Sequence, residues 1–254
     1  MTNPAFAPTG TIDVRIHPSR AEMGRAAAAL VATEMRARLA GGAGLRMIFA
    51  AAPSQAEMLE ALVAEPGIDW GRVTAFHMDE YIGLAEGAPE RFALWLRRHL
   101  FDRVPFAAVH AINPGRDPAA AARAYAAALD AAPIDIVCLG IGVNGHLAFN
   151  DPPVANLADP EDVKIVELDA TCRQQQVDDG CFAGFDDVPT HAITLTVPRL
   201  LRADRLVCVV PGAAKRDAVR RALQDPIGAA CPATALRQHP RVVLFLDAEA
   251  NPDG

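Results

Sequence analysis

The sequence lacks several features that mark whole classes of protein, and each absence excludes one class. No run of eighteen apolar residues occurs, so no transmembrane helix is expected. The first ten residues have neither the basic segment nor the apolar segment of an export signal. Positive charge is not in excess, because 24 Lys and Arg stand against 31 Asp and Glu, for a net charge of −7. That sign is wrong for a protein that tracks a nucleic-acid backbone. We expect a cytoplasmic protein with no membrane or nucleic-acid partner.

The cysteines show no regular arrangement. There are five, an odd number, and none lie at C-x-x-C spacing, which excludes both a disulfide framework and a zinc ribbon. With 254 residues, of which 51% are hydrophobic, the chain is long and apolar enough to bury a core unaided. A metal would therefore serve chemistry rather than folding, and we predict no metal and no cofactor.

Short apolar stretches alternate with amphipathic or alanine-rich ones, which is typical of α/β proteins with a mostly parallel sheet. Helices are predicted after two capping boxes, at Ser19 and Ser54. Further helices are predicted at Pro89–Leu100, Pro118–Ala131 and Ala213–Leu223. The predicted strands are Thr11–His17, Leu45–Ala51, Arg72–Phe76, Val109–Ile112, Ile134–Leu139, Val163–Leu168, Ala192–Thr196, Leu206–Val210 and Val242–Leu246. We expect one α/β domain over residues 1–254, in which the irregular polar stretch 159–190 is a candidate lid.

Ligands of parallel α/β sheets bind beyond the carboxyl ends of the strands, so we expect the functional residues just after the strands. Gly140–Gly145 reads G-x-G-x-x-G directly after a strand, as in dinucleotide-binding proteins. That function needs a helix to begin at the third glycine, and Pro152–Pro153 leaves little room for one. Two other interpretations stay open. The glycines form either a plain turn with a solvated histidine or a backbone cradle that presents Asn144, His146 and Asp151.

A second polar group follows the strand Arg72–Phe76. Asp79 and Glu80 are candidates for proton abstraction, although solvated loop carboxylates would look the same. A metal site would use His77, Asp79, His146 and His191, but these lack a diagnostic spacing.

Two further positions are candidates for binding an anion. Ser54 begins a predicted helix after a strand, and Lys215 begins another. Each has an ordinary alternative: Ser54 could simply cap its helix, and Lys215 could be a solvated surface charge.

The segments Met78–Leu84 and Gly140–Asn150 resemble, in order and separation, the glucosamine-6-phosphate deaminase and 6-phosphogluconolactonase family. The likeness runs from the strand before Ser54 to Lys215, and Ala148–Asn150 is more similar to the deaminase branch. The resemblance implies a three-layer, Rossmann-like α/β fold with helices on both faces of the sheet. It also implies an aldose–ketose isomerisation coupled to loss of ammonia, on a sugar or sugar phosphate.

The resemblance also assigns roles to residues. Asp79 matches the base that moves a proton between C2 and C1, and His146 matches the histidine that assists ring opening. Asp151 stands where the deaminases have a glutamate, and Asn144 where they have an aspartate. Lys215 matches the phosphate-binding lysine, and Ser54, Glu80 and Gly145 are expected to contact the substrate.

The expected phosphate site departs from the family. The segment Ala51–Gln55 replaces a Thr-Gly-Gly-Thr-type loop, and the family's arginine near Asp178 is missing, with Arg173 close by. Either other groups hold the phosphate or the substrate differs. Two alternatives to a deaminase stay open: a sugar-lactone hydrolase in which His146 activates water, and a sugar or sugar-phosphate sensor without turnover. The sequence does not decide whether the chain forms a homo-oligomer.

Overall fold

The computed structural model describes residues 12–152 and 154–254. In this part of the chain, the helices are α1 (Arg20–Ala40), α2 (Ala56–Ala64), α3 (Phe92–Leu96), α4 (Pro118–Asp130), α5 (Ala170–Asp178), α6 (Val197–Leu201) and α7 (Arg216–Gln224). The strands are β1 (Asp13–His17), β2 (Leu45–Phe49), β3 (Val73–His77), β4 (Asp79–Tyr81), β5 (Ala108–His110), β6 (Ile136–Leu139), β7 (Val163–Glu167), β8 (His191–Leu195), β9 (Arg205–Val210) and β10 (Val242–Asp247). Thr11, the predicted start of the first strand, lies outside the described residues.

The main sheet is parallel, as the sequence predicted. Its strand order is β1-β10-β9-β6-β2-β3-β5, and each neighbouring pair is parallel. Alternate residues of the central strands enter two separate apolar cores. Met47 and Phe49 join the core formed with α1 and α2, whereas Ile48 joins the core formed with α4 and α7. Helices therefore cover both faces, which confirms the three-layer, Rossmann-like α/β fold.

The segments Val163–Leu168 and Ala192–Thr196 were expected among the strands of a mostly parallel sheet, but they lie elsewhere. They form β7 and β8 of a second, antiparallel sheet with the order β4-β8-β7. Periodicity identifies a strand but not its partner, because pairing depends on contacts between distant parts of the chain. The short strand β4 leaves the main sheet immediately after β3 and carries Asp79 with it.

The two predicted capping boxes differ in outcome. The hydroxyl of Ser19 accepts a hydrogen bond from the backbone N–H of Glu22 and caps α1. Ser54 instead lies in a short 3₁₀ turn, and α2 begins only at Ala56 without a side-chain cap. The carboxylate of Glu57, which the capping box at Ser54 required, binds the guanidinium of Arg20 instead.

The carboxyl ends of β2, β3, β6 and β9 lie along one edge of the main sheet, because all four strands run parallel. The residues that follow these strands are therefore brought together although they are far apart in sequence. Among the described residues, none of the helices combines the length and the apolar character needed to cross a membrane.

Candidate active site

A cavity opens at the carboxyl edge of the sheet, with about 590 Å³ of empty space when its open mouth is included. Ligands of parallel α/β sheets bind at this edge. The small antiparallel sheet and α5 border it on the side away from the main sheet. The residues that line the cavity are Ala50, Ala51, Ala52, Pro53, Ser54, Gln55, Met78, Asp79, Phe92, Gly140, Ile141, Gly142, His146, Ala148, Phe149, Gln175, Gln176, Asp179 and Lys215.

His146 and Asp151 form a hydrogen-bonded pair beside the cavity. Nδ1 of His146 lies 2.8 Å from Oδ1 of Asp151, whose side chain is fully buried. Asn144 completes the group, since its amide nitrogen donates to the same carboxylate oxygen and its amide oxygen accepts the N–H of His146. Although an aspartate is one methylene shorter than the family's glutamate, it reaches the imidazole directly. Asp151 thus supplies the negative charge that Asn144 cannot.

The pKa of Asp151 reflects these contacts. Burial alone would raise it, but hydrogen bonds from His146, Asn144 and the thiol of Cys172, together with the charge of His146, hold the pKa below its usual value. Asp151 is therefore a carboxylate at neutral pH, and it fixes the imidazole with Nε2 available to a ligand. No hydrogen bond engages Nε2 of His146 within the described residues.

The glycine pattern holds this histidine rather than a nucleotide. No helix begins at Gly145, so the dinucleotide interpretation fails. A Cβ atom on Gly142 would lie 2.1 Å from the ring of His146, so only glycine leaves room for the imidazole there. Gly145 adopts a φ of +88° and packs against Cys231. Gly145 is not among the residues that line the cavity, and its contact with the substrate stays a prediction.

Asp79 faces the same cavity as His146. Its side chain forms no hydrogen bond within the described residues, and the residue is 6% exposed. Burial, with the nearby charges of Glu80 and Asp151, raises the pKa of Asp79 well above its usual value. Such a carboxyl is a stronger base once ionised, as proton abstraction from carbon requires. The structure thus unites the two residues that the sequence placed after separate strands.

Glu80 points away from the cavity. Its carboxylate accepts hydrogen bonds from the backbone N–H groups of Tyr81, Phe92 and Ala93, and it pairs with the guanidinium of Arg91 at 3.5 Å. Glu80 therefore caps α3 from a distance. The capping fixes the start of α3 at Phe92 instead of the predicted Pro89, and it corrects the expectation that Glu80 contacts the substrate.

Ser54 and Lys215, the two candidates for binding an anion, line the same cavity, and their contact with a substrate stays a prediction. Lys215 is 7% exposed, and its burial lowers the pKa of the ammonium despite the opposing charge of Asp179. Arg173 takes no part, because its guanidinium donates to the carbonyl oxygens of Phe185 and Val188.

Several polar residues of the cavity were missed from the sequence: Gln55, Gln175, Gln176 and Asp179. The last three come from the stretch 159–190, where α5 borders the cavity. The run of glutamines and aspartates in this stretch, in an otherwise apolar chain, was the feature of the sequence that could have indicated them. Whether this stretch moves as a lid stays a prediction.

The four proposed metal ligands do not converge. His77 is buried, does not line the cavity, and accepts the N–H of Ile112 at Nε2. Burial and the charge of Arg91 lower the pKa of His77 to about 3, so it is neutral. His191 is exposed and pairs with Thr190. A different trio, His146, Asp151 and Cys172, has potential ligand atoms within 4.8 Å of one another. A metal there would displace the hydrogen bond between His146 and Asp151.

Comparison with known proteins agrees with this geometry. The sequence model of the family described as glucosamine-6-phosphate isomerases/6-phosphogluconolactonase matches residues 18–244. The chain belongs to this family. It is 36% identical over 184 residues to a glucosamine-6-phosphate deaminase of Bacillus thuringiensis (strain Al Hakam), a match that covers 72% of this chain and 68% of the relative.

Solved structures of the family share the fold. A monomeric glucosamine-6-phosphate deaminase superposes with a TM-score of 0.87 at 25% identity, over 94% of this chain and 98% of the other. A 6-phosphogluconolactonase from Shewanella baltica gives a TM-score of 0.78 at 18% identity, over 94% and 99% of the two chains. The second likeness concerns the fold alone.

Proposed function

We propose that this protein converts a 2-amino sugar into a ketose and ammonia, the type of reaction that glucosamine-6-phosphate deaminases carry out, or a close variant on a related sugar. One observation carries the proposal: the carboxyl of Asp79 and the imidazole of His146, which Asp151 holds in place, face a single cavity. The family relationship and the identity to a deaminase support the same conclusion.

Ring opening falls to the histidine. Nε2 of His146 takes the proton of the anomeric hydroxyl and returns a proton to the ring oxygen as the bond between C1 and that oxygen breaks. Asp151 holds Nδ1 and stabilises the imidazolium that forms in between. Hydrogen bonding of Asn144 to both residues keeps them in place.

Isomerisation then falls to Asp79. Its carboxylate removes the proton from C2 while the aldehyde oxygen gains a proton, which gives a 2-amino-1-enol. Return of the proton to C1 leaves an imine at C2, to which water adds before ammonia departs. Because the resting carboxyl has a raised pKa, it must lose its proton before it can act as the base; the ammonium of Lys215 lines the same cavity.

The direct test is to supply one purified preparation with glucosamine, glucosamine 6-phosphate and 6-phosphogluconolactone. We expect ammonia and a ketose from at least one amino sugar, and loss of that activity in His146→Ala. Lactone hydrolysis without ammonia release would instead establish a lactonase. Saturable binding of an amino sugar with no product would establish a sensor.

A further inference from the structure

We propose that the part of the cavity around Lys215 and Asp179 receives an uncharged, hydroxyl-bearing end of the sugar rather than a phosphate. The preferred substrate would then be an unphosphorylated 2-amino sugar. This inference rests on the proposed deaminase function and specifies its substrate class.

The charges that line the cavity do not suit a phosphate dianion. Besides Asp79 and His146, the ionisable residues in the described part of its lining are Lys215 and Asp179, with no arginine. The negative charge of Asp179 acts on the ammonium of Lys215 and offsets its charge. A formal charge of about zero remains for a ligand that would bring nearly two negative charges. Phosphate sites normally offer several cations or a forked guanidinium.

Several backbone donors around the cavity are engaged within the protein. The N–H of Ala50 donates to the carbonyl of Cys138, and the N–H of Gln55 donates to the carbonyl of Ala52. Pro53 has no N–H, and the N–H of Lys215 donates to the carbonyl of Gly212. These four positions therefore offer no amide to the oxygens of a phosphate.

The polar groups that remain suit hydroxyls. Asp179 is exposed and lines the cavity, so its carboxylate can accept a hydrogen bond from a hydroxyl. Gln175 orients that carboxylate, because its Nε2 donates to Oδ2 of Asp179 at 3.2 Å while its Oε1 accepts the N–H of Val143. Lys215 supplies a donor beside this acceptor. A hydroxyl can use both groups, since it donates and accepts, whereas a phosphate dianion only accepts.

The test compares two open-chain amino alditols, glucosaminitol and its 6-phosphate, by calorimetric titration of the purified chain. For the wild type, we expect the neutral alditol to bind at least about fivefold more tightly, because one uncompensated charge contact of this kind contributes about 1 kcal/mol. In Asp179→Asn this preference should shrink by about fivefold, since the repulsive carboxylate is gone.

Asp178→Asn is the matched control. Asp178 is the adjacent exposed carboxylate, it pairs with Gln174, and it does not line the cavity. The control should leave the preference unchanged within about twofold, because an exposed charge outside the cavity is screened. An equal shift in both variants would attribute the effect to net charge and overturn the proposal.

Turnover distinguishes this inference from the function on which it rests. Ammonia released with a higher kcat/KM from glucosamine 6-phosphate than from glucosamine, with tighter binding of the phosphorylated alditol, would overturn the inference and leave the deaminase function standing. Preferential binding of the neutral alditol with no ammonia from either sugar would overturn the deaminase function and leave the inferred binding preference standing. Absence of binding by both alditols would overturn the inference.

Discussion

Replacement of Asp79 by asparagine should lower activity and raise stability together. The wild-type carboxyl is buried, forms no side-chain hydrogen bond within the described residues, and lies near the charges of Glu80 and Asp151. Such a group disfavours its own ionised form. Asparagine keeps the size of the side chain and removes both the charge and the base.

The two effects have different magnitudes. A positioned general base contributes about 10²–10⁴-fold to turnover, or about 3–5 kcal/mol in the barrier. Relief of one buried, unpaired charge commonly stabilises a fold by about 1 kcal/mol, which for a domain of this size raises Tm by about 2–4 °C. The loss of turnover is measured by ammonia release and the rise in Tm by thermal unfolding of the same preparation.

The stability gain should depend on pH. Because folding raises the pKa of Asp79, the folded protein holds that proton at pH values where the unfolded chain has lost it. The stability that this group contributes is full below the unfolded pKa, near 4, and falls as the pH rises toward the folded pKa. The advantage of Asp79→Asn should therefore be small at pH 4 and larger at pH 7.

Asp117→Asn provides the control, because Asp117 is an exposed cap of α4 and asparagine caps equally well. It should change neither activity nor Tm. Full turnover in Asp79→Asn would refute its role as the base, and a lower Tm at pH 7 would refute the account of its burial.

Two further substitutions test residues that hold parts of the site in place. Glu80→Gln should lower the free energy of unfolding by about 1–3 kcal/mol in denaturant titrations, because the amide NH₂ replaces one of the two oxygens and would face the N–H of either Phe92 or Ala93; an unchanged midpoint would contradict the capping role. Gly142→Ala should displace the ring of His146 and reduce kcat at least about tenfold while circular dichroism shows the fold intact, since the new Cβ would lie 2.1 Å from that ring. Wild-type kcat in this variant would show that the imidazole tolerates displacement.

Much of the active site was predictable because it follows strands. Asp79 and His146 come directly after apolar runs, and parallel strands end along one edge of a sheet. Local pattern therefore sufficed to place a base and an imidazole near each other. It also made Lys215, which follows β9, a candidate for binding an anion, and this lysine lines the cavity.

Other features depended on contacts between distant segments. The direction of Glu80 follows from its pairing with the start of α3, twelve residues later. The carboxylate of Glu57 does not cap α2 but binds Arg20, which lies 37 residues away in the sequence. Neither contact can be predicted from the periodicity of apolar residues, because each joins segments that are separated in the sequence.

The sequence by itself determined the layered α/β architecture and the two catalytic candidates, since hydrophobic period and strand ends are local properties. Only the tertiary structure decided which strands join the second sheet. It also decided that Gln175 and Gln176 of α5, and Asp179 just after that helix, line the cavity. The physical reason is that strand pairing and charge proximity arise when segments far apart in the chain come into contact. The fold also brings Asp179 and Lys215 to the lining of one cavity, although they are far apart in the sequence.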